Sequence, residues 1–308
     1  MSSRSASELD TDQGLDDVNK PLVSAIIPTY NRLPKLLKAV ESVLSQTYKE
    51  LEVIVVDDGS EDGTREYFEN ESLDPRVRYF YKENEGLPSL SRNLGATKSR
   101  GKYLAFLDSD DLWEETKIQT QVEFLEDNKA YTFAYSQARA PNGSFVSGFS
   151  IRKSGAIESS LLFRNFIITS SVCVRTESFI AASGFPIDKR IVVAEDYSLW
   201  LKLSKLGLGK YFSQPLVVYE LEGGISSENI SRNLSCYYTV TLQGLKSSKV
   251  SPLYYEFIIL MYWLRRLNAS RTNKRLLQES LESIEYLESN FASRLALELF
   301  STFRGLWR

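Results

Sequence analysis

Histidine is absent from all 308 residues. That single gap excludes a Ser-His-Asp triad, a Cys-His dyad, an HExxH zinc helix and any mechanism with an imidazole base. Cysteine is scarce: Cys173 and Cys236 stand alone, with no CxxC spacing. Neither a disulfide framework nor a thiolate metal site can be built from them, and both read as reduced core residues. An excess of one charge is also missing, with 37 basic and 40 acidic side chains and a net charge of −3. There is no electrostatic ground for nucleic acid as a partner. Long apolar runs are missing as well. The longest uncharged one, Phe257 to Leu264, has eight residues, where a bilayer helix needs about 20. Residues 1–20 are rich in Ser and Asp and carry no signal-peptide core. The chain therefore reads as soluble or peripheral, and cytoplasmic.

Several phosphate-binding loops fail on spacing. Between Gly95 and Gly101 lie five residues, and Lys102 is followed by Tyr103 rather than Ser or Thr, so no Walker loop is present. The first strand is not followed by GxGxxG, and no GxSxG elbow occurs. Whatever chemistry the chain performs runs on carboxylates, hydroxyls, Lys, Arg or a metal held by oxygen.

What is present is a large apolar fraction, 43%, patterned as alternating strands and helices. Continuous apolar runs predict strands at Val23 to Ile27, Leu51 to Val56, Val77 to Tyr81, Tyr103 to Leu107, Tyr131 to Tyr135 and Leu216 to Tyr219. Between them, steps of three and four predict helices over Pro34 to Gln46, Asp62 to Phe68, Ser89 to Lys98 and Thr116 to Asp127. Further helices are expected over Ser159 to Phe166, Thr176 to Ala182 and Glu195 to Leu206. Residues 136–157 lose the pattern. Alternation of this kind makes an α/β fold, with a mostly parallel central sheet flanked by helices. Three regions are expected: a disordered leader at 1–20, an α/β domain at 21–234 and a helical C-terminal extension at 235–308.

In such a sheet ligands bind beyond the carboxyl ends of the strands. Three strands end in polar text there: Pro28-Thr29-Tyr30-Asn31, Asp57-Asp58-Gly59-Ser60 and Asp108-Ser109-Asp110-Asp111. In an extended segment Asp108 and Asp110 face the same way and reach one cation. Oxygen ligands suit Mg²⁺ or Mn²⁺. The other reading is a cap on the helix at Thr116. Asp57-Asp58 either accepts hydrogen bonds from a nucleoside or caps the next helix. Arg92 either meets a phosphate or is a solvated helix arginine. Glu195-Asp196 either complements a helix dipole or supplies a general base, for which a chain without histidine has only carboxylates.

Taken in order, these segments resemble one family. They are Val23-Ser24-Ala25-Ile26-Ile27-Pro28-Thr29-Tyr30-Asn31-Arg32, Val53-Ile54-Val55-Val56-Asp57-Asp58-Gly59-Ser60, Asp62-Gly63-Thr64 and Asn84-Glu85-Gly86. Ser91-Arg92-Asn93-Leu94-Gly95-Ala96, Gly101 through Asp111 and Glu195 through Leu203 complete the set. Spread over residues 22–227, they resemble the family 2 inverting glycosyltransferases of the GT-A fold. The resemblance implies that Pro28, Thr29, Tyr30, Arg32, Asn84 and Ser109 line a donor site, with Asp57 on the base and Arg92 near the donor. Asp108-Ser109-Asp110 is similar to the family's DXD motif, with Asp110 holding Mn²⁺ or Mg²⁺ and Asp108 facing ribose or sugar. Asp196 matches the catalytic base, with Glu195 beside it. Many members carry a histidine after the strand at Leu216 to Tyr219, which helps hold metal or diphosphate. Here Glu222 stands in that place, either as an oxygen ligand in the metal set or as a departure the site works without.

The implied activity is inverting transfer of a sugar from a nucleotide-diphosphate donor, a UDP-sugar above all, to an acceptor hydroxyl on a glycan or lipid-linked acceptor, in surface polysaccharide or glycan synthesis. The alternative is a catalytically silent fold that binds a sugar nucleotide or scaffolds a complex. A sugar nucleotidyltransferase is disfavoured, because no glycine-rich loop follows the first strand. Beyond residue 235, Arg265, Arg266, Arg271, Lys274 and Arg275 form a basic run behind the apolar stretch. It reads either as a peripheral contact with the inner face of the membrane or as a solvated helix face. The amphipathic pattern from Leu276 to Leu299 is equally suited to a homodimer contact.

Overall fold

A computed structural model describes residues 20–146, 153–220 and 230–248. Eight strands form one sheet: β1 (Val23–Thr29), β2 (Leu51–Asp57), β3 (Val77–Tyr81), β4 (Tyr103–Phe106), β5 (Leu112–Trp113), β6 (Tyr131–Arg139), β7 (Cys173–Arg175) and β8 (Leu208–Val218), in the order β3-β2-β1-β4-β7-β6-β8-β5. Helices α1 (Leu33–Leu44), α2 (Thr64–Asn70), α3 (Pro88–Lys98), α4 (Lys117–Asp127), α5 (Glu158–Phe163), α6 (Thr176–Ala181), α7 (Glu195–Leu206) and α8 (Ile230–Lys246), with short 3-10 turns at Thr169–Ser171 and Lys189–Ile191, complete the described elements.

Strands β1 to β4 run parallel, in the manner of the βαβ units expected from sequence. Strand β7 then enters antiparallel between β4 and β6, while β6 and β8 are again parallel. Pro28 lies inside β1 rather than ending it. Its missing N–H costs nothing there, because β4 pairs with β1 only as far as Ile26↔Phe106.

The alternation of side chains along each strand divides the core into two layers. Ile26, Ile54, Val56 and Phe106 meet Leu161, Phe179, Trp200 and Val240 on one face. Ala25, Ile27, Val53 and Val55 meet Leu36 and Val43 of α1 and Ile118, Val122 and Leu125 of α4 on the other. Fully burying each of the larger side chains stabilises the fold by about 1.5–3 kcal/mol. Gly95 sets the height of α3, since a Cβ there would lie 2.5 Å from the Ile26 side chain. The close approach puts Arg92, one turn earlier, over the carboxyl end of the sheet.

The expected boundary at residue 235 falls inside α8. That helix buries Cys236, Val240 and Leu245 in the same core as Trp200 of α7. An apolar stripe committed to the α/β core makes α8 part of that body. Among the described residues no helix is long and apolar enough to cross a membrane. The leader before residue 20, Glu222, the basic run at 265–275 and the pattern at 276–299 lie outside the described residues.

Candidate active site

A cavity of about 640 Å³ opens at the carboxyl edge of the sheet. One wall contains Pro28, Thr29, Tyr30 and Arg32 after β1, Asp58 after β2, Asn84 after β3, Arg92 on α3, and Asp108, Ser109 and Asp110 after β4. The opposite wall includes Asn165, Phe166 and Thr169, the pair Glu195-Asp196 at the start of α7, Tyr219 and Glu220 after β8, and Tyr237 of α8. Strand tips 78 residues apart in the chain thus meet: Arg32 donates to Asp110 Oδ2 at 2.5 Å. Arg32 gets there through Asn31, whose φ of 53° turns the chain sharply between β1 and α1. Asn31 Oδ1 accepts from the N–H of Glu61 at 2.7 Å, and its own N–H donates to Ser60 Oγ at 2.9 Å. Asparagine tolerates this left-handed conformation better than most residues.

Arg92 is the hub. It is 6% exposed and donates to Asp108 Oδ1 at 2.6 Å and to Glu195 Oε1 at 2.8 Å. One buried guanidinium therefore ties the tip of β4 to the start of α7. Glu195 Oε2 has no hydrogen-bond partner among the described residues. Burial pushes Glu195 up to about 7, against the pull of Arg92 and with the help of the Asp196 charge. Asp196 is also raised, by burial first. The N–H of Tyr197, the charge of Arg92 and the Thr169 hydroxyl work the other way. Asp196 Oδ1 accepts from Tyr197 N–H at 2.6 Å, and Oδ2 accepts from Thr169 Oγ1 at 3.2 Å and Asn165 Nδ2 at 3.4 Å. A carboxylate opening on a cavity with a raised pKa is suited to taking up a proton.

The four residues Asp108 to Asp111 are not extended. The N–H of Asp111 donates to the carbonyl of Asp108 at 3.0 Å, which closes a turn. The expectation that Asp108 and Asp110 share one direction is corrected on that account: Asp108 goes to Arg92 and Asp110 to Arg32. Asp111, which the sequence reading left as punctuation, is almost fully buried. Its Oδ2 accepts from Ser170 Oγ at 2.5 Å and its Oδ1 from the N–H of Glu220 at 2.9 Å. It holds the segment after β8 against the tip of β4. Burial, with Asp108 adjacent, raises it well above the ordinary carboxylate range.

Asp57 does not line the cavity. Successive side chains of a strand point to opposite faces, and Asp57 is sealed at 0% exposure. Its Oδ1 takes the N–H of Ser60 at 2.9 Å and its Oδ2 the hydroxyl of Tyr79 at 2.6 Å. Asp58 lines the cavity in its place, paired with Lys82 at 2.5 Å.

The oxygen-only character of the β4 tip fits a divalent ion. Asp110 is raised by burial first and then by Asp108, with Arg32, its own backbone N–H and the more distant Lys35 opposing. Among the described residues no group of three or more potential ligands is close enough to cage an ion. Where Mg²⁺ or Mn²⁺ binds a protein, one or two carboxylates commonly share the ion with substrate phosphates and water.

The model of glycosyl transferase family 2 matches residues 24–185. The chain belongs to that family. A UDP-Glc:alpha-D-GlcNAc-diphosphoundecaprenol beta-1,3-glucosyltransferase, WfaP of Escherichia coli, is 35% identical over 188 residues, which cover 61% of this chain and 72% of that protein. Other curated relatives, uncharacterized glycosyltransferases of Rickettsia species, are 32–36% identical, and the chain spans less than half of their length. Two solved structures share the fold. Staphylococcus aureus TarS 1-349 in complex with UDP-GlcNAc superposes with a TM-score of 0.65 at 21% identity, over 82% of this chain and 74% of that one. The mannosyltransferase PcManGT of Pyrobaculum calidifontis, in complex with GDP-Man and Mn²⁺, gives 0.59 at 18% identity, over 94% and 81%.

The family match ends at residue 185, so the far wall of the cavity lies largely beyond it. Sequence reasoning found Glu195 and Asp196 there through the paired acids, and missed Tyr219 and Tyr237, whose text carries no chemical signal. It also missed Asn165 and Thr169, although the polar pair Arg164-Asn165 between Phe163 and Phe166 is unusual enough to have marked the first.

Proposed function

We propose that the chain transfers a sugar from a nucleotide-diphosphate donor, a UDP-sugar, to an acceptor hydroxyl with inversion at the anomeric carbon. The observation that carries the reading is the facing of two walls: Arg92, Asp108 and Asp110 on one, and a partly open Asp196 on the other, with Glu195 buried between them. Tyr30, 46% exposed at the cavity, offers a ring to a nucleoside base. Asp110 would hold Mn²⁺ or Mg²⁺, and the ion would supply positive charge to the leaving diphosphate. Asp196 takes the proton of the acceptor hydroxyl as its oxygen bonds to the anomeric carbon. The bond from that carbon to the diphosphate oxygen breaks on the opposite side, and the electron pair leaves with the nucleoside diphosphate. Arg92 keeps Asp108 and Glu195 in place and adds positive charge beneath the donor.

The UDP-sugar class is supported by the UDP-Glc of WfaP and the UDP-GlcNAc bound to TarS, and a divalent ion by the Mn²⁺ of PcManGT. A lipid-linked glycan acceptor is supported by the diphosphoundecaprenol substrate in the name of WfaP. Such an acceptor places the reaction at the inner face of a membrane.

The test pairs calorimetry with a transfer assay. UDP with Mn²⁺ is expected to bind both wild type and Asp196→Asn. Transfer from UDP-glucose or UDP-GlcNAc to undecaprenyl-diphosphate-linked acceptors is expected to fall by about a thousandfold or more in the variant, since the base is removed. Near wild-type transfer by Asp196→Asn would remove the base assignment. Binding by wild type without any transfer would favour the silent sugar-nucleotide-binding reading.

A further inference from the structure

We infer that Ser170 is a positioning residue for the transfer, and that together with Thr169 it sets the spacing between Asp196 and the acidic turn after β4. The inference rests on Asp196 being the base and on that turn facing the donor. Thr169, Ser170 and Ser171 form the 3-10 turn that leads into β7, and all three are buried. Buried hydroxyls need partners, and these three find them in different places. Thr169 Oγ1 donates to Asp196 Oδ2 at 3.2 Å, on one wall of the cavity. Ser170 Oγ reaches the other wall. It donates to Asp111 Oδ2 at 2.5 Å and accepts from the N–H of Asp108 at 3.1 Å. One hydroxyl thus spends both its donor and its acceptor capacity on the two ends of the Asp108-to-Asp111 turn. Ser171 Oγ bends back to the carbonyl of Ile168 at 2.7 Å, within its own turn.

Two adjacent side chains therefore hold the two halves of the site, and the turn that bears them is itself fixed from beneath. Trp113 Nε1 donates to the carbonyl of Ser170 and Gln121 Nε2 to that of Ser171, each at 2.8 Å. Gln121 Oε1 accepts from Lys117 Nζ at 2.8 Å, and the same nitrogen lies 4.1 Å from the centre of the Trp113 ring. Lys117 is fully buried, so one side chain orients both supports. Past the turn, Cys173 pairs with Ala105 of β4, which ties it to the middle of the sheet. A constellation carried on rigid elements keeps its geometry best. Ser170 has no exposed surface, so it acts through Asp108 and Asp111 and not on substrate.

Losing the Ser170 hydroxyl would unseat the acidic turn without dissolving it. The N–H of Asp111 still donates to the carbonyl of Asp108, Asp108 keeps Arg92, and Asp110 keeps Arg32. The donor site would stay formed while its distance to Asp196 loosens. A misplacement of about 1 Å between reacting groups can cost about a hundredfold in rate.

The experiment measures UDP release by the full chain from UDP-glucose or UDP-GlcNAc with Mn²⁺ and undecaprenyl-diphosphate-linked acceptors, beside calorimetry of UDP with Mn²⁺ and thermal melts. Ser170→Ala is expected to lower kcat by about tenfold or more, with the UDP Kd and the donor KM within about threefold of wild type. Thr169→Val, close to isosteric, is expected to lower kcat comparably. The double variant should lose less than the product of the two single losses, because both act on one spacing. Ser171→Ala, equally buried, is the packing control: its melting temperature falls as far as that of Ser170→Ala, and its kcat stays within about twofold.

A kcat within twofold of wild type in Ser170→Ala would overturn the inference. So would a loss of UDP binding as large as the loss of kcat, a Ser171→Ala loss of kcat as large as that of Ser170→Ala, or full multiplication of the losses in the double variant. Failure of the underlying reading looks different. It would appear as turnover retained in Asp196→Asn, or as no UDP release by wild type, and either would remove the inference with it.

Discussion

Two buried glutamates at opposite ends of the sheet carry the same carboxyl group into opposite roles. Glu52, near the start of β2, is 2% exposed and has every oxygen engaged. Ser24 Oγ and the N–H of Arg100 donate to Oε1, each at 2.7 Å; Arg78 Nη1 and Arg100 Nε donate to Oε2, at 2.9 and 3.0 Å. Glu195, at the carboxyl edge, is 7% exposed and has one guanidinium on one oxygen and nothing among the described residues on the other. Burial raises both. In Glu52 the donated bonds outweigh it and the net shift is downward, whereas in Glu195 burial prevails and the group stands at about 7. Burial alone therefore does not make a carboxylate structural or functional. The supply of donors decides, and the fold spends its donors at the amino edge and withholds them where ligands bind.

The largest effect is expected from removing Arg92, the cation paired with Glu195 among the described residues. Arg92→Met leaves Asp108 and Glu195 facing each other without their shared partner. Breaking a buried pair in this way costs about 3–5 kcal/mol, read as a lowered midpoint in urea denaturation at pH 7. The loss should shrink at lower pH as the orphaned carboxyls take up protons. Equal losses at pH 5 and pH 7.5 would mean that Arg92 acts through packing, with its guanidinium over the Phe185 ring at 5.4 Å.

A smaller loss, about 1–3 kcal/mol, is expected from Glu52→Gln, which keeps the shape and discards the charge that four donors converge on. The sign follows from the lowered pKa. The contribution of Glu52 is fully present above the unfolded carboxylate value, about 4.3, and is lost as pH falls through its folded value. The variant should therefore trail wild type at pH 7 and converge with it in acid. A deficit that persists below pH 3 would make Glu52 no more than a packing residue, and would break the contrast with Glu195.

How much of this was legible in sequence follows from how local each feature is. The parallel strands β1 to β4 and their helices were readable because each is a continuous apolar run or a helical stripe. Strand β7, only Cys173–Arg175, is too short to show a period, yet it sits in the middle of the sheet. Strand β8 was foreseen only at Leu216 to Tyr219, because Ser213, Gln214 and Pro215 interrupt an eleven-residue strand whose pairing with β6 shifts register there. At the site, residue type and strand-tip position were enough to nominate Arg92, Asp108, Asp110, Glu195 and Asp196. Their partners were not readable. Arg32 on Asp110, Arg92 on Glu195 and Tyr237 near Asp196 each depend on turns and helix placements that bring together residues dozens of positions apart. Asp57 was misplaced for the same reason, since its carboxylate is held by Tyr79 on the next strand, β3.

The smallest effect is the one that separates the two glutamates most cleanly. The folded pKa of Glu195, about 7, lies above the unfolded value of about 4.3. Between those values the native state holds a proton that the unfolded chain has released, so stability falls as pH rises across the window and the deficit is complete above it. Glu195→Gln removes the titration while its amide oxygen still accepts from Arg92, which also retains Asp108. The variant is expected to melt about 2 °C above wild type at pH 8 and level with it near pH 4.5, while Glu52→Gln moves the other way at pH 8. Had Glu195 been an anchor like Glu52, its glutamine variant would lose stability at pH 8. A gain there, in a group that touches Arg92 and adjoins Asp196, would mark stability given up to keep a poorly solvated carboxyl beside the proposed base.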